Sequence, residues 1–339
     1  RDASFEIEED INALYVMANF GGDGVRGNVG LRYVETDSTS NGFDLTTSQP
    51  VSFNSEYKEW LPSLNVAYDI QEDTILRFAA SRVLTRPAPF QLAPAVNLTP
   101  ETSSGSAGNP NLDPFRATQY DLSYEYFTDN GGAFTAAIFY KDIDSLVTDV
   151  SYDSDDVWEG IDLPDGTTKG VYNTKENGDG GWIKGFELAI TKTFDNLPGV
   201  FSGLGINANY SYNDSETSVV GANGIRDGEE LPLPGLSENI WSATVFWDIG
   251  KFSTHANVRY RDDYVFMMPI PGNVTPVIAK EYMTVDWQAS YAFENGFTAV
   301  LQANNLTDES NKVDYGVSSL LGEYKTFGRT VSVGVDYKF

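Results

Sequence analysis

From Thr330 to Phe339 the chain reads Thr-Val-Ser-Val-Gly-Val-Asp-Tyr-Lys-Phe. Val331, Val333, Val335, Tyr337 and Phe339 share one parity, and Ser332, Gly334, Asp336 and Lys338 share the other. Successive side chains of a strand point to opposite faces, so this segment offers one apolar and one wet surface. The alternation recurs. Met283, Val285, Trp287, Ala289, Tyr291 and Phe293 oppose Thr284, Asp286, Gln288 and Ser290, and Tyr120, Leu122, Tyr124 and Tyr126 oppose Gln119, Asp121, Ser123 and Glu125. Trp241, Ala243, Val245, Trp247 and Ile249 make a further stripe. The pattern predicts strands near 6–20, 26–38, 56–70, 73–87, 116–129, 132–149, 180–195, 203–217, 236–249, 251–266, 280–293, 296–308 and 326–339, about 13 in all.

A soluble β-sandwich alternates too, so the connections decide. Short ones carry turn residues: Gly21-Gly22-Asp23-Gly24, Gln71-Glu72, Asp129-Asn130-Gly131, Gly250 and Glu294-Asn295-Gly296. Long ones run near 40–55, 88–115, 150–179, 218–235, 267–279 and 309–325. Short and long connections alternate, which places the long loops at one end. Outer-membrane barrels have this arrangement, with short periplasmic turns and long extracellular loops. The expected fold is all-β, an antiparallel transmembrane β-barrel. Aromatics at strand ends (Tyr68, Phe127, Tyr140, Phe194, Tyr264, Phe293) would form its interfacial girdles.

Composition agrees. Only 41% of the 339 residues are hydrophobic, yet there are 19 Tyr, 20 Phe and 6 Trp, as suits strands with one face in lipid and one in water. No run approaches the roughly 18 apolar residues of a membrane helix, which leaves barrel strands open. A net charge of -27 argues against a nucleic-acid partner. With no cysteine and one histidine, disulfide scaffolds and thiolate or multi-histidine metal sites are excluded, and no cofactor or metal is expected.

Thr85-Arg86-Pro87, followed by Gly108-Asn109-Pro110-Asn111-Leu112-Asp113-Pro114-Phe115-Arg116, resembles a phrase of TonB-dependent receptors. So do Gly185-Phe186-Glu187, Asn304-Asn305-Leu306-Thr307-Asp308, and Gly328-Arg329-Thr330 leading to the terminal Phe339. Pro110 and Pro114 cannot donate to a ladder, so they belong before the strand near Arg116. The resemblance implies a 22-stranded barrel holding an N-terminal plug, in the bacterial outer membrane, with TonB as the energy-coupling partner. The chain would then be one domain, residues 1–339, forming the C-terminal part of such a barrel. Neither plug nor TonB-contact segment can be placed in it. An odd strand count with a periplasmic C-terminus likewise sets Arg1 on the outer side, so further strands are expected upstream. No apolar leader is visible at Arg1. Phe339 resembles the signal read by the barrel-assembly machinery, and outer-membrane lipid is the remaining expected partner.

His255 alternates with apolar neighbours and lacks any nucleophile motif, so no catalytic residue and no enzyme activity are expected. Arg77, Gln119, Asp121, His255, Arg259 and Asp286 are expected to face the lumen, with Arg82, Arg86 and Arg116 on lumen faces or at strand ends. The acidic stretch Asp149, Asp153, Asp155, Asp156, Glu159 and Asp162 lacks the order of an EF-hand and reads as a solvated loop, with calcium as the alternative. Loop aromatics Tyr152, Trp158, Tyr172, Trp182, Phe266 and Tyr324 suit ligand capture by stacking. The resemblance implies active uptake of a scarce nutrient, with an oligosaccharide slightly favoured over a siderophore. A passive porin-like channel is the alternative.

Overall fold

The structure is a computed structural model that describes residues 4–44, 49–99, 103–154, 170–218, 230–268, 275–316 and 320–339. Twenty strands occur among these: β1 (Glu6–Gly22), β2 (Val25–Asp44), β3 (Gln49–Gln71), β4 (Thr74–Thr85), β5 (Asn97–Thr99), β6 (Ser104–Ser106), β7 (Phe115–Phe127), β8 (Ala133–Ser154), β9 (Gly170–Thr193), β10 (Leu204–Ser218), β11 (Glu230–Leu231), β12 (Asn239–Ile249), β13 (Phe252–Arg261), β14 (Tyr264–Met267), β15 (Val277–Ala279), β16 (Tyr282–Ala292), β17 (Phe297–Asn304), β18 (Ser310–Tyr315), β19 (Leu321–Thr326) and β20 (Thr330–Tyr337).

Thirteen of them form one antiparallel wall in the order β1-β2-β3-β4-β7-β8-β9-β10-β12-β13-β16-β17-β20. Each wall strand is the structural counterpart of one predicted segment. Among the described residues β1 pairs only with β2, and β20 only with β17. Turns at one end are tight. Asp23 and Gly24 take the left-handed conformation between β1 and β2, as do Gly250 between β12 and β13 and Gly296 between β16 and β17.

At the other end the structure departs from expectation. Within the loops expected near 40–55 and 150–179 the described residues are strand, because β2–β3 and β8–β9 continue their ladders to Asp44↔Gln49 and Ser154↔Gly170. The predicted segment 251–266 is split into β13 and β14, and the loops expected near 267–279 and 309–325 contain β15, β18 and β19. The extensions β14, β15, β18 and β19 form a separate four-stranded sheet beyond β13, β16, β17 and β20.

Burial is inverted relative to a soluble protein. On β3, Trp60 is 58% exposed while its neighbour Glu59 is 8%, and Tyr68 is 46% exposed while Ala67 is 7%. On β7 Tyr120, Leu122, Tyr124 and Tyr126 are the exposed series, and Gln119, Asp121, Ser123 and Glu125 are more enclosed. Register keeps these faces continuous: Leu122 pairs with Phe78 and Ile138, and Ser123 with Arg77 and Ala137. One face is therefore apolar and outward, as lipid requires, and the other polar and inward. Aromatic contacts such as Tyr33–Trp60, Phe186–Tyr212, Trp241–Tyr260 and Phe297–Tyr337 lie on the outer face. A small buried cluster of Ala117, Ile143 and Leu233 sits on the inner side.

Placing a charge on the outer face should cost far more than placing it on the inner one. Ile138→Arg is expected to destabilise the barrel by about 2–4 kcal/mol, and Ala137→Arg by much less. Equilibrium unfolding of both variants from lipid vesicles checks this, and equal losses would refute the assignment of faces.

Candidate functional site

The inner wall is polar but internally neutralised. Arg77 Nε donates to Glu125 at 2.8 Å, Gln119 Nε2 to Ser81 Oγ at 3.0 Å, and Arg259 is ion-paired with Asp286. Asp121 lies in register with Ala79 and Phe139, and His255 with Phe246 and Gln288, both on the inner face. These six residues share the parity of the more enclosed face and are spread along the wall, not gathered into one site. Arg82, near the end of β4, has the parity of Phe78 and Leu84 and so lies on the outer face, where Nη2 meets Asp144 Oδ2 at 2.6 Å.

The segment 86–114, between β4 and β7, folds over the inner wall at the end with the long connections. Leu92, Ala93, Ala95, Leu112 and Pro114 are buried beneath it. Its Gly-Asn-Pro-Asn-Leu-Asp-Pro run is a clamp. Gly108 N and Asn109 N donate to the carbonyls of Ala93 and Gln91 at 2.9 and 2.7 Å. A side chain at Gly108 would strike the Gln91 carbonyl and the Ala93 amide, which is why glycine stands there. Asn109 Nδ2 donates to the Lys175 carbonyl at 3.0 Å. Asp113 N donates to Asn177 Oδ1 at 2.9 Å, while Asn177 Nδ2 returns a bond to the Asp113 carbonyl at 3.1 Å. Strand β6 adds a short parallel pairing to β9 through Ser104↔Val171. At the foot of the segment Arg116 is paired with Glu59 of β3, both largely buried. Between the segment and the β8–β9 hairpin lies a recess of about 320 Å³ whose lining includes Phe90, Asn97, Asp149, Asn173 and Lys175.

The upper sheet meets the wall at two polar corners. Asn305, at φ 53°, places its backbone N–H on Asp286 Oδ1 at 2.9 Å and its side-chain amide on the carbonyls of Glu309 and Gly328 at 3.0 and 3.1 Å. Thr307 Oγ1 donates to the Met283 carbonyl at 3.1 Å, so the Asn-Leu-Thr-Asp motif is the bend itself. The second corner is Asp262, which accepts from Asn239 N at 3.0 Å, Asn239 Nδ2 at 2.6 Å and Tyr260 OH at 2.6 Å. Burial works to raise its pKa, but these hydrogen bonds outweigh it and hold the carboxyl below its ordinary value. Arg261 next to it donates to Ser237 Oγ and the Gly235 carbonyl and stacks 3.9 Å over Tyr264. Tyr264, expected in a girdle, is therefore a corner residue.

The aromatic candidates do not converge. Trp182 lies inside β9, in register with Asp142 and Glu216 and with the parity of the lipid-facing Phe186; Lys184 Nζ sits 4.1 Å over its ring. It belongs to the outer face of the wall and not to an extracellular loop. Tyr152 and Tyr172 are cross-strand partners high on the β8–β9 hairpin. Tyr152 OH donates to Glu176, which together with partial burial pushes its pKa up to about 12. Phe266 lines a cavity of about 510 Å³ with Arg261, Tyr282 and Lys325, below the upper sheet. Tyr324 is exposed on β19, paired with Lys312. Trp158, with Asp155, Asp156, Glu159 and Asp162, lies outside the described residues; Asp149 is ion-paired with Lys175. Among the described residues no group of three or more His, Cys, Asp or Glu could hold a metal. Phe339 stands beyond the last strand, edge-on to Tyr337 at 5.0 Å. Sequence reasoning missed the clamp residues Asn109 and Asn177 and the corner residues Asp262 and Asn305. Left-handed geometry at Asn305 was the one readable signal.

An inside-out antiparallel wall with tight turns at one end and folded-in extensions at the other defines a β-barrel of the bacterial outer membrane. The family model described as "TonB dependent receptor-like, beta-barrel" matches residues 1–306, and the chain belongs to that family. It is 26% identical over 235 residues to the iron-regulated outer membrane virulence protein of Vibrio cholerae, covering 68% of this chain and 32% of that protein. The fold is similar to the siderophore receptor PiuA from Acinetobacter baumannii (16% identity, 99% of this chain, 44% of that chain, TM-score 0.71). It is similarly close to the ferric yersiniabactin uptake receptor FyuA from Yersinia pestis (17% identity, 99% and 46%, TM-score 0.68). The chain thus spans about a third of the curated relative and under half of these solved chains. Members of this family are transport receptors and not enzymes.

Two outcomes follow for the corners. Asn305→Ala removes several hydrogen bonds and a residue suited to the left-handed region, and should cost about 1–3 kcal/mol by denaturant unfolding. Because the folded pKa of Asp262 is depressed, its contribution is present above the unfolded carboxyl pKa and is lost as pH falls through the folded value. Melting temperatures of wild type and Asp262→Asn should differ at pH 7 and converge at acid pH; a constant gap would sink this reading.

Proposed function

We propose that the chain is the C-terminal wall of an outer-membrane receptor that imports a scarce nutrient, and that the nutrient is a ferric chelate. The observation that carries the reading is the family match over a wall whose inner end is overlaid by the folded-in segment 86–114. A passive channel gains from an open bore, whereas a segment tied by paired asparagines across β9 narrows it. The ligand class draws support from the relatives: siderophore and ferric-chelate receptors among the solved structures, and an iron-regulated protein among the curated ones. The expectation of an oligosaccharide finds no support there. The aromatic residues behind it are dispersed, and Trp182 faces outward.

The edges of β1 and β20, which have no ladder partner among the described residues, support a further proposal. An exposed ladder edge is untenable in hydrocarbon, so additional strands complete the barrel between these edges. Energy coupling through the TonB complex would act on a plug outside this sequence. The lipid-facing wall would contact outer-membrane lipid, and the strand ending at Phe339 would engage the barrel-assembly machinery during insertion.

Uptake of radiolabelled iron by cells carrying or lacking the gene tests the proposal directly. Iron delivered as a ferric siderophore should enter only with the gene, and entry should stop when the proton-motive force is collapsed. Entry that survives the uncoupler would indicate a passive channel. Uncoupler-sensitive uptake of an oligosaccharide in place of iron would reverse the ligand assignment.

A further inference from the structure

Arg86 leaves the top of β4 and turns inward, and its Nη2 donates to Thr36 Oγ1 on β2 at 3.3 Å. Thr36 is fully buried, and Ser38, two residues along the same inner face, is nearly so. Tyr57 on β3 is the direct cross-strand partner of Thr36. In this patch three polar atoms are shielded from solvent without a protein partner: Arg86 Nε, Ser38 Oγ and Tyr57 OH. Folded proteins leave few buried polar atoms unpaired, and several side by side indicate that something else occupies the space between them.

The chemistry of the set selects the occupant. A guanidinium N–H can only donate, and the three hydroxyls can all donate. Among the described residues Arg86 has no carboxylate partner. Glu59, the inner-face carboxylate next along β3, is held by Arg116. A cation would meet a fixed positive charge here, whereas an anion would pair with that charge and accept from the hydroxyls beside it.

We propose that Arg86, Thr36, Ser38 and Tyr57 form a binding site for an anionic acceptor beneath the segment 86–114. The acceptor is either a free small anion, such as a halide, or a carboxylate side chain from a part of the protein outside this sequence. In both cases it ties Arg86, the first residue of the segment, to the inner wall of β2 and β3. The site does not depend on the transport reading and survives its failure.

Crystallography of the full-length protein purified from outer membranes, with crystals soaked in bromide, tests the site. An anomalous bromide peak within about 3.5 Å of Arg86 Nε assigns a free anion. A carboxylate side chain at that position assigns the internal source. Ordered water alone, or no density between the four side chains, overturns the proposal. In Arg86→Gln the anion should be lost and in Arg86→Lys retained; bromide that persists in Arg86→Gln would equally overturn it. The wild-type measurement stands even where a variant fails to fold.

Discussion

The structure depends on one constraint: backbone N–H and C=O groups inside hydrocarbon must all be paired within the protein. The antiparallel ladder from β1 to β20 meets it strand by strand, and once it is met the side chains are free to invert. Trp60 and Tyr68 can stand in lipid and Glu59 can be enclosed because the ladder, and not a packed apolar core, holds the wall. The small inner cluster around Ile143 is then incidental to the stability of the wall. Glycine at Gly205 and Gly27 follows from the same economy of space, since the rings of Phe246 and Phe20 lie where their side chains would stand.

Charges on the inner face follow a second rule. Each sits in a partly enclosed passage, and the wall neutralises most of them in place: Arg77 with Glu125, Arg259 with Asp286, Arg26 with Asp69. A wall neutralised in this way is a frame for recognition and contributes little to it directly. The chemically distinctive places are those where the ladder ends, namely the clamp across β9, the corners at Asp262 and Asn305, and the recess around Arg86. These are held largely by side-chain hydrogen bonds worth roughly 1 kcal/mol each and not by a continuous ladder.

Most of the wall was legible in the sequence because its signal is local. Alternation at period two reports the face of each residue, so Arg77, Gln119, Asp121, His255, Arg259 and Asp286 can be assigned to one face without any knowledge of their partners. Strand extensions were misread as loops: residues 40–44, 49–55, 150–154 and 170–179 lose the apolar stripe once the strands leave the membrane, while the ladder continues. The contacts that shape the mouth were illegible because they are long-range. Asp113 and Asn177 stand 64 residues apart and nothing local announces their reciprocal bonds.

The two kinds of extension differ in how they are attached, and that difference bears on what can move. The upper sheet is continuous in chain with β13, β16, β17 and β20, and each of its strands enters through a bend fixed by Asn305 or Asp262. Displacing it requires several corner bonds to break together. Segment 86–114 touches the wall mainly through side chains and short pairings, and its apolar underside is small: Leu92, two alanines and Leu112. The bed beneath is Thr36, Ser38 and Ser40, polar residues that lose little when water replaces the segment. A conformational change coupled to a ligand would therefore cost least here, with the ladder as a fixed reference. The charge state of the recess at Arg86 would then set how firmly the segment is held.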